Sequence, residues 1–101
     1  MSKDPKDCQN MQDVRAGIDA TDKDIIDLLV LRAAYIDRAS EIKQRDGLPA
    51  RISDRVEQVV GNVKTHADAR GLSPDLAETL WRQLIEWSIA REEKVLGSDP
   101  N

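Results

Sequence analysis

Phenylalanine is missing from this chain, and aromatic residues as a whole make up only 3% of it, so any core must be aliphatic. The single cysteine, Cys8, excludes an internal disulfide. With a single histidine, His66, it also leaves no cluster with metal-ligand spacing. No run approaches the roughly 20 consecutive apolar residues that cross a bilayer, so no membrane partner is expected. The opening MSKDPKDCQN lacks the apolar centre of a secretory signal, which makes the cytoplasm the expected compartment. Cations are not in excess: the net charge is −4, the opposite of the basic face that phosphate backbones require, and nucleic acid is not an expected partner. No Ser/His/Asp or Cys/His arrangement suited to nucleophilic catalysis is evident either.

What remains is a chain of 101 residues, 40% hydrophobic and 34% charged, which is the composition of one globular domain. Ala, Leu, Ile, Val, Glu, Lys and Arg dominate the long stretches, and helix propensity therefore dominates too, giving an all-α class. Residues 1–10 read as a polar, flexible N-terminal segment, 11–96 as the helical domain and 97–101 as a C-terminal tail. A first helix is predicted from Met11–Asp13 to about Arg45, stopped by Asp46-Gly47 and Pro49. Ser53 is a candidate N-cap for a second helix, in which Val56, Val59, Val60 and Val63 recur at helical rather than strand spacing, ending by Arg70-Gly71. Ser73-Pro74 starts a third, running to about Val95 before Gly97.

The apolar stripe of the first helix carries charges where none belong. With Ile18 at zero, Val14, Ile25, Leu29, Ile36 and Ala39 fall between about −60° and +20°, and Arg32 and Lys43 lie inside that arc at about −40° and −20°. Lys and Arg can bury their stems and let the head reach water. The anomaly recurs, however: with Trp81 at zero on the third helix, Ser88 and Glu92 sit at about −20° and +20° among Ala77, Leu84, Ile85 and Val95. Unpaired buried cations cost several kcal/mol, so an anionic partner, water or an anionic ligand between the helices is called for. Polar groups on two core stripes suggest one shared interior site.

Length adds a prediction about assembly. A helix of some 33 residues is about 50 Å long, whereas a compact domain of this size is only about 33 Å across. Its overhanging apolar face needs a cover that two shorter helices cannot supply, and a second copy of the chain is the simplest one, giving an intertwined twofold homodimer. Arg15 lies at about +60° on the stripe margin, about 25 Å along the axis from Arg32, and so would serve the partner's site.

Val14-Arg15, Ile18-Asp19-Ala20-Thr21-Asp22, Leu31-Arg32, Ile42-Lys43, Asp54-Arg55 and Ile85-Glu86-Trp87-Ser88-Ile89-Ala90-Arg91-Glu92 together resemble the all-helical chorismate mutases. The spaced set Arg15, Arg32, Lys43, Arg55 and Glu92 is the specific part of that resemblance. It implies a dimer with two sites, each completed by Arg15 of the other subunit. Arg32 and Arg55 would hold the substrate's two carboxylates, Lys43 and Glu92 would face its ether oxygen, and Ser88 would line the pocket near the ring. The implied reaction is the Claisen rearrangement of chorismate to prephenate, which needs no nucleophile, metal or cofactor.

The chain departs from the bacterial prototypes of that family at three positions. Glu92 stands where glutamine is frequent, and a carboxyl can donate to an ether oxygen only when protonated. Val56 replaces a glutamate and Ile52 an aspartate, so hydroxyl contacts expected from those positions are missing. These replacements, with Asp7-Cys8 and Trp87-Ser88-Ile89-Ala90, also resemble the isochorismate-pyruvate lyases, which share the fold and the cationic pocket. A third reading, a noncatalytic helical adaptor, predicts that Arg32, Lys43 and Glu92 pair among themselves with no anion-sized cavity.

Overall fold

A computed structural model of the chain describes residues 3–97 and shows three α-helices: α1 (Met11–Asp46), α2 (Ser53–Ala69) and α3 (Pro74–Leu96). A short 3-10 turn, Pro5–Asp7, precedes them, and no strand occurs among the described residues. The all-α reading holds. Of the expected tail, only Gly97 falls within the described residues; 98–101 lie outside them, as do 1 and 2.

Each helix boundary has a chemical cause. The Asn10 side chain accepts from Asp13 N–H at 2.9 Å, and the Asp13 carboxylate accepts in turn from Gln9 N–H at 3.1 Å, a reciprocal cap at the start of α1. The Gln9 amide, followed by the Lys3 ammonium at 3.1 Å, holds the Asp13 carboxyl below its usual value. At the other end Gly47 adopts φ +71°, and Leu48 N–H donates to the Lys43 carbonyl at 2.8 Å. The same closure ends α2, with Gly71 at φ +79° and Leu72 N–H on the Ala67 carbonyl at 2.8 Å. In both, glycine tolerates a left-handed backbone that a Cβ would strain. Ser73 caps α3 as expected, its Oγ accepting from Leu76 N–H at 3.2 Å, with Pro74 in the first turn. Ser53 behaves otherwise: it is the first residue of α2, and Ile52, extended and without a side-chain cap, occupies the position before it. The Ile52 carbonyl nonetheless accepts from Arg55 and Val56, so the helix starts without a hydroxyl.

The chain divides into two compact units, one ending at Ala34 and the other beginning at Tyr35. In the first, the expected stripe residues Ile18 and Ile25 remain 53% and 48% exposed, and Ile26, Leu28, Val30 and Leu31 are exposed around the rest of the helix. A helix apolar on several faces is one that expects neighbours on several faces.

The second unit holds the core. Ala50, Val60, Ile85 and Ile89 are buried together, with Val56, Val59, Trp81 and Leu96 packed against them. Aliphatic side chains dominate, as the lack of phenylalanine demands. The valines of α2 thus form a helical stripe, with Ala67 buried two turns on from Val60. On α3, Val95 was expected in the core but is exposed. Ala77, at the same angle as Val95 from Trp81, is buried near the start of the helix, so the face itself reaches that angle; in the last turn it is Leu96, at about +60°, that packs on the core.

Candidate active site

The two sequence anomalies of the second unit meet. Lys43 projects from the last turns of α1 and Glu92 from α3, and their Nζ and Oε1 atoms stand 2.7 Å apart. Only 18% of the lysine side chain and 5% of the glutamate side chain reach solvent. The lysine's anionic partner is therefore the glutamate that looked equally misplaced on the other helix. Lys43 Nζ also donates to the Ala50 carbonyl at 2.8 Å.

This pair is not a saturated one. Oε1 is buried with the ammonium 2.7 Å away and no hydrogen-bond partner among the described residues. A carboxylate oxygen whose one neighbour is an ammonium keeps a lone pair that a polar ligand atom could use.

The other expected site residues fall into three groups. Ser88 is buried one turn before Glu92 on α3, its Oγ donating to the Leu84 carbonyl at 2.8 Å. Val56 is half-buried on the core, and Ile52, at the entry to α2, is exposed. Arg55, in the first turn of α2, is exposed and donates to Gln58 Oε1 at 2.7 Å. Arg15 and Arg32 belong to the first unit, where Arg15 is exposed and Arg32 half-buried. The structure thus brings Lys43 and Glu92 together, with Ser88 buried one turn away on α3.

Several buried or paired groups of the second unit were missed. Ser40, 1% exposed, donates to the Ile36 carbonyl at 3.2 Å. It lies at about +40° on the α1 wheel, beyond the +20° edge of the apolar stripe, so its polarity did not stand out as that of Lys43 did. The Ala50 carbonyl was not readable, because a backbone acceptor has no residue-type signature. Long-range surface pairs were equally invisible. Arg91 grips Asp37 through two contacts of 2.6 and 2.9 Å and stacks over Trp87, 5.3 Å from the ring centroid. Arg51 Nη2 pairs with Glu86 Oε2, tying the linker to α3.

Among the described residues no group of His, Cys, Asp and Glu could hold a metal ion, and no helix is long and apolar enough to cross a membrane. Cys8 is a free thiol.

The sequence pattern of the family described as chorismate mutase type II matches residues 14–93, from the first turn of α1 to the residue after Glu92. The chain belongs to the chorismate mutase type II family. Among curated proteins it is 34% identical to the isochorismate pyruvate lyase of Pseudomonas aeruginosa over 93 residues, covering 91% of this chain and 90% of that protein. It is 33% identical over 79 residues to the T-protein of Enterobacter agglomerans, covering 78% of this chain but 21% of that protein. The T-protein of Haemophilus influenzae is 28% identical over 93 residues, 25% of its length. The chain therefore spans nearly the whole of the lyase and about a quarter or less of the T-proteins.

Proposed function

We propose that this protein is a chorismate mutase that converts chorismate to prephenate by restricting the substrate's shape and stabilising the charge that moves in the transition state. The observation that carries the proposal is the buried Lys43–Glu92 contact with its unsatisfied Oε1. An ether oxygen gathers negative charge as its C–O bond breaks, and donors already fixed around it need no rearrangement when that happens. Lys43 Nζ is such a donor. Glu92 becomes a second once protonated, and losing its charge also frees the lysine from the ion pair, so that both can address the oxygen between them.

The remaining roles follow the same proposal. Arg32 and Arg55 bind the two carboxylates of a small dicarboxylate substrate, with Ser88, Ile52 and Val56 lining the pocket. Arg15 arrives from the second subunit of an intertwined homodimer, which also covers the exposed apolar faces of α1. Holding a flexible dianion in its compact conformer supplies much of the rate by proximity alone. No cofactor or metal takes part. A cytoplasmic location belongs to the same proposal and is checked by cell fractionation.

A second reading has its own support. The 34% identity over nearly the full length of an isochorismate pyruvate lyase, with apolar Ile52 and Val56 in the pocket, favours elimination of pyruvate from isochorismate. Incubating the purified protein separately with chorismate and isochorismate separates the two. Prephenate from chorismate is the expected result; salicylate plus pyruvate from isochorismate, with no prephenate, would replace the mutase by the lyase. The adaptor reading also expects a Lys43–Glu92 pair, but membership of an enzyme family weighs against it. Failure of a bicyclic dicarboxylate transition-state mimic to raise the melting temperature would restore it.

A further inference from the structure

Lys43 is bound to the α1–α2 linker at both ends of its residue. Its carbonyl accepts from Leu48 N–H at 2.8 Å, which closes the helix, and its ammonium donates to the Ala50 carbonyl at 2.8 Å. The first of these bonds is a helix-end closure that Gly47 makes possible. The second has no such local reason. It fixes the tip of a four-carbon side chain, which otherwise samples many rotamers, at the point where that tip stands 2.7 Å from Glu92 Oε1.

The position of the Ala50 carbonyl therefore decides where the ammonium points. Ala50 itself is buried in the core against Val60, Ile85 and Ile89. The residue after it, Arg51, leaves the core and pairs through Nη2 with Glu86 Oε2 on α3. Glu93, two turns further along the same helix, adds a second negative charge to the environment of that guanidinium. Ala50 is thus held by apolar burial on one side and by an ion pair on the other. α3 carries both Glu86 and Glu92, so the linker is anchored to the helix that presents the acid to Lys43.

We propose that Arg51 and Glu86 are positioning residues: their ion pair holds the Ala50 carbonyl where it sets the Lys43 ammonium beside Glu92. The inference rests on the catalytic role given to Lys43 under Proposed function. Arg51 touches neither Lys43 nor Glu92 directly, and its effect passes through one peptide unit.

Exposed ion pairs contribute little to stability, so Arg51→Met and Glu86→Gln are expected to melt close to the wild type. Misplacing a transition-state donor by a fraction of an ångström acts on kcat rather than on ground-state binding. Arg51→Met is expected to lower kcat on the order of tenfold with KM changed no more than about threefold. Because one guanidinium nitrogen makes the contact, Arg51→Lys should restore most of the lost kcat. A readout without substrate accompanies this: the 13C shift of the Ala50 carbonyl, which should move in the same direction in Arg51→Met and in Lys43→Met as the hydrogen bond is lost. Wild-type kcat and an unmoved Ala50 carbonyl in Arg51→Met would overturn the proposal. A wild type inactive on both chorismate and isochorismate would refute the assigned reaction instead, and the carbonyl shift would then decide the positioning role by itself.

Discussion

Replacing Lys43 with methionine keeps the volume of the side chain and removes its charge. Glu92 is then left 5% exposed without the ammonium that stood 2.7 Å from its Oε1. Stranding one member of a buried ion pair costs about 3–5 kcal/mol, and the 18% exposure on the lysine side places this case at the lower end, about 3 kcal/mol. The reverse change, Glu92→Leu, is milder. Lys43 keeps its bond to the Ala50 carbonyl and its opening to water, so the cost should be nearer 1–2 kcal/mol. Removing both charges together leaves no buried charge stranded, only the Ala50 carbonyl without its donor, and Lys43→Met/Glu92→Leu should lie within about 1–2 kcal/mol of the wild type. The double-mutant cycle then shows a coupling of about 2–3 kcal/mol or more. Urea unfolding followed through Trp81 and Trp87, at one protein concentration so that association does not shift the midpoints, measures all four proteins. Additive effects, with a coupling below about 0.5 kcal/mol, would mean that the 2.7 Å contact is not an energetic pair and would refute the reasoning.

In the activity of the same proteins, Lys43→Met should lower kcat/KM by on the order of 10²–10³, the effect of deleting one fixed donor to a developing oxyanion, measured by chorismate consumption. Glu92→Gln, whose amide can donate to the ether oxygen, should retain activity that Glu92→Leu loses; equal kcat/KM losses in the two variants would contradict the donor role of Glu92. Arg15→Ala and Lys43→Met subunits, each inactive alone, should regain activity on mixing, since a heterodimer contains one intact site; no recovery would argue against donation of Arg15 across an interface. Acid should weaken the fold. Arginine partners hold Asp37, Glu57, Glu78 and Glu86 below their ordinary values of 3.8 for Asp and 4.5 for Glu. The unfolded chain therefore takes up protons first, and the stability these pairs give is complete above about pH 5 and lost as pH falls through the lowered values. The urea midpoint should drop between pH 5 and 3, and less steeply in Arg82→Met, which removes the partner of both Glu57 and Glu78.

Much of this architecture is written locally. Gly47, Gly71, Ser73, Pro74 and Gly97 mark helix ends because left-handed backbone, capping hydroxyls and a missing N–H are properties of single residues, and the structure uses all five in those roles. The valines of α2 betray a helix through their spacing alone. Lys43, Ser88 and Glu92 were conspicuous for the same kind of reason, being polar on faces that their neighbours made apolar. Ser53 shows the limit of local reading, since a hydroxyl near a helix start caps it only if the chain enters at the right angle, and Ile52 takes that position instead.

Three things depended on the folded chain. That Lys43 and Glu92 answer each other, rather than each finding water, follows from the way α3 packs beside the end of α1, and periodicity within one helix carries no information about the face of another. The Ala50 carbonyl became an anchor because a backbone oxygen is the same in every residue and acquires a role only from what approaches it. In the last turn of α3 the core took Leu96 rather than Val95, although Ala77 at Val95's own helical angle is buried, so the choice was made by what lies opposite each turn and not by the angle. Composition and spacing determined which segments are helices, where they stop and which residues are out of place on them. The distances between those residues were decided only when the helices met.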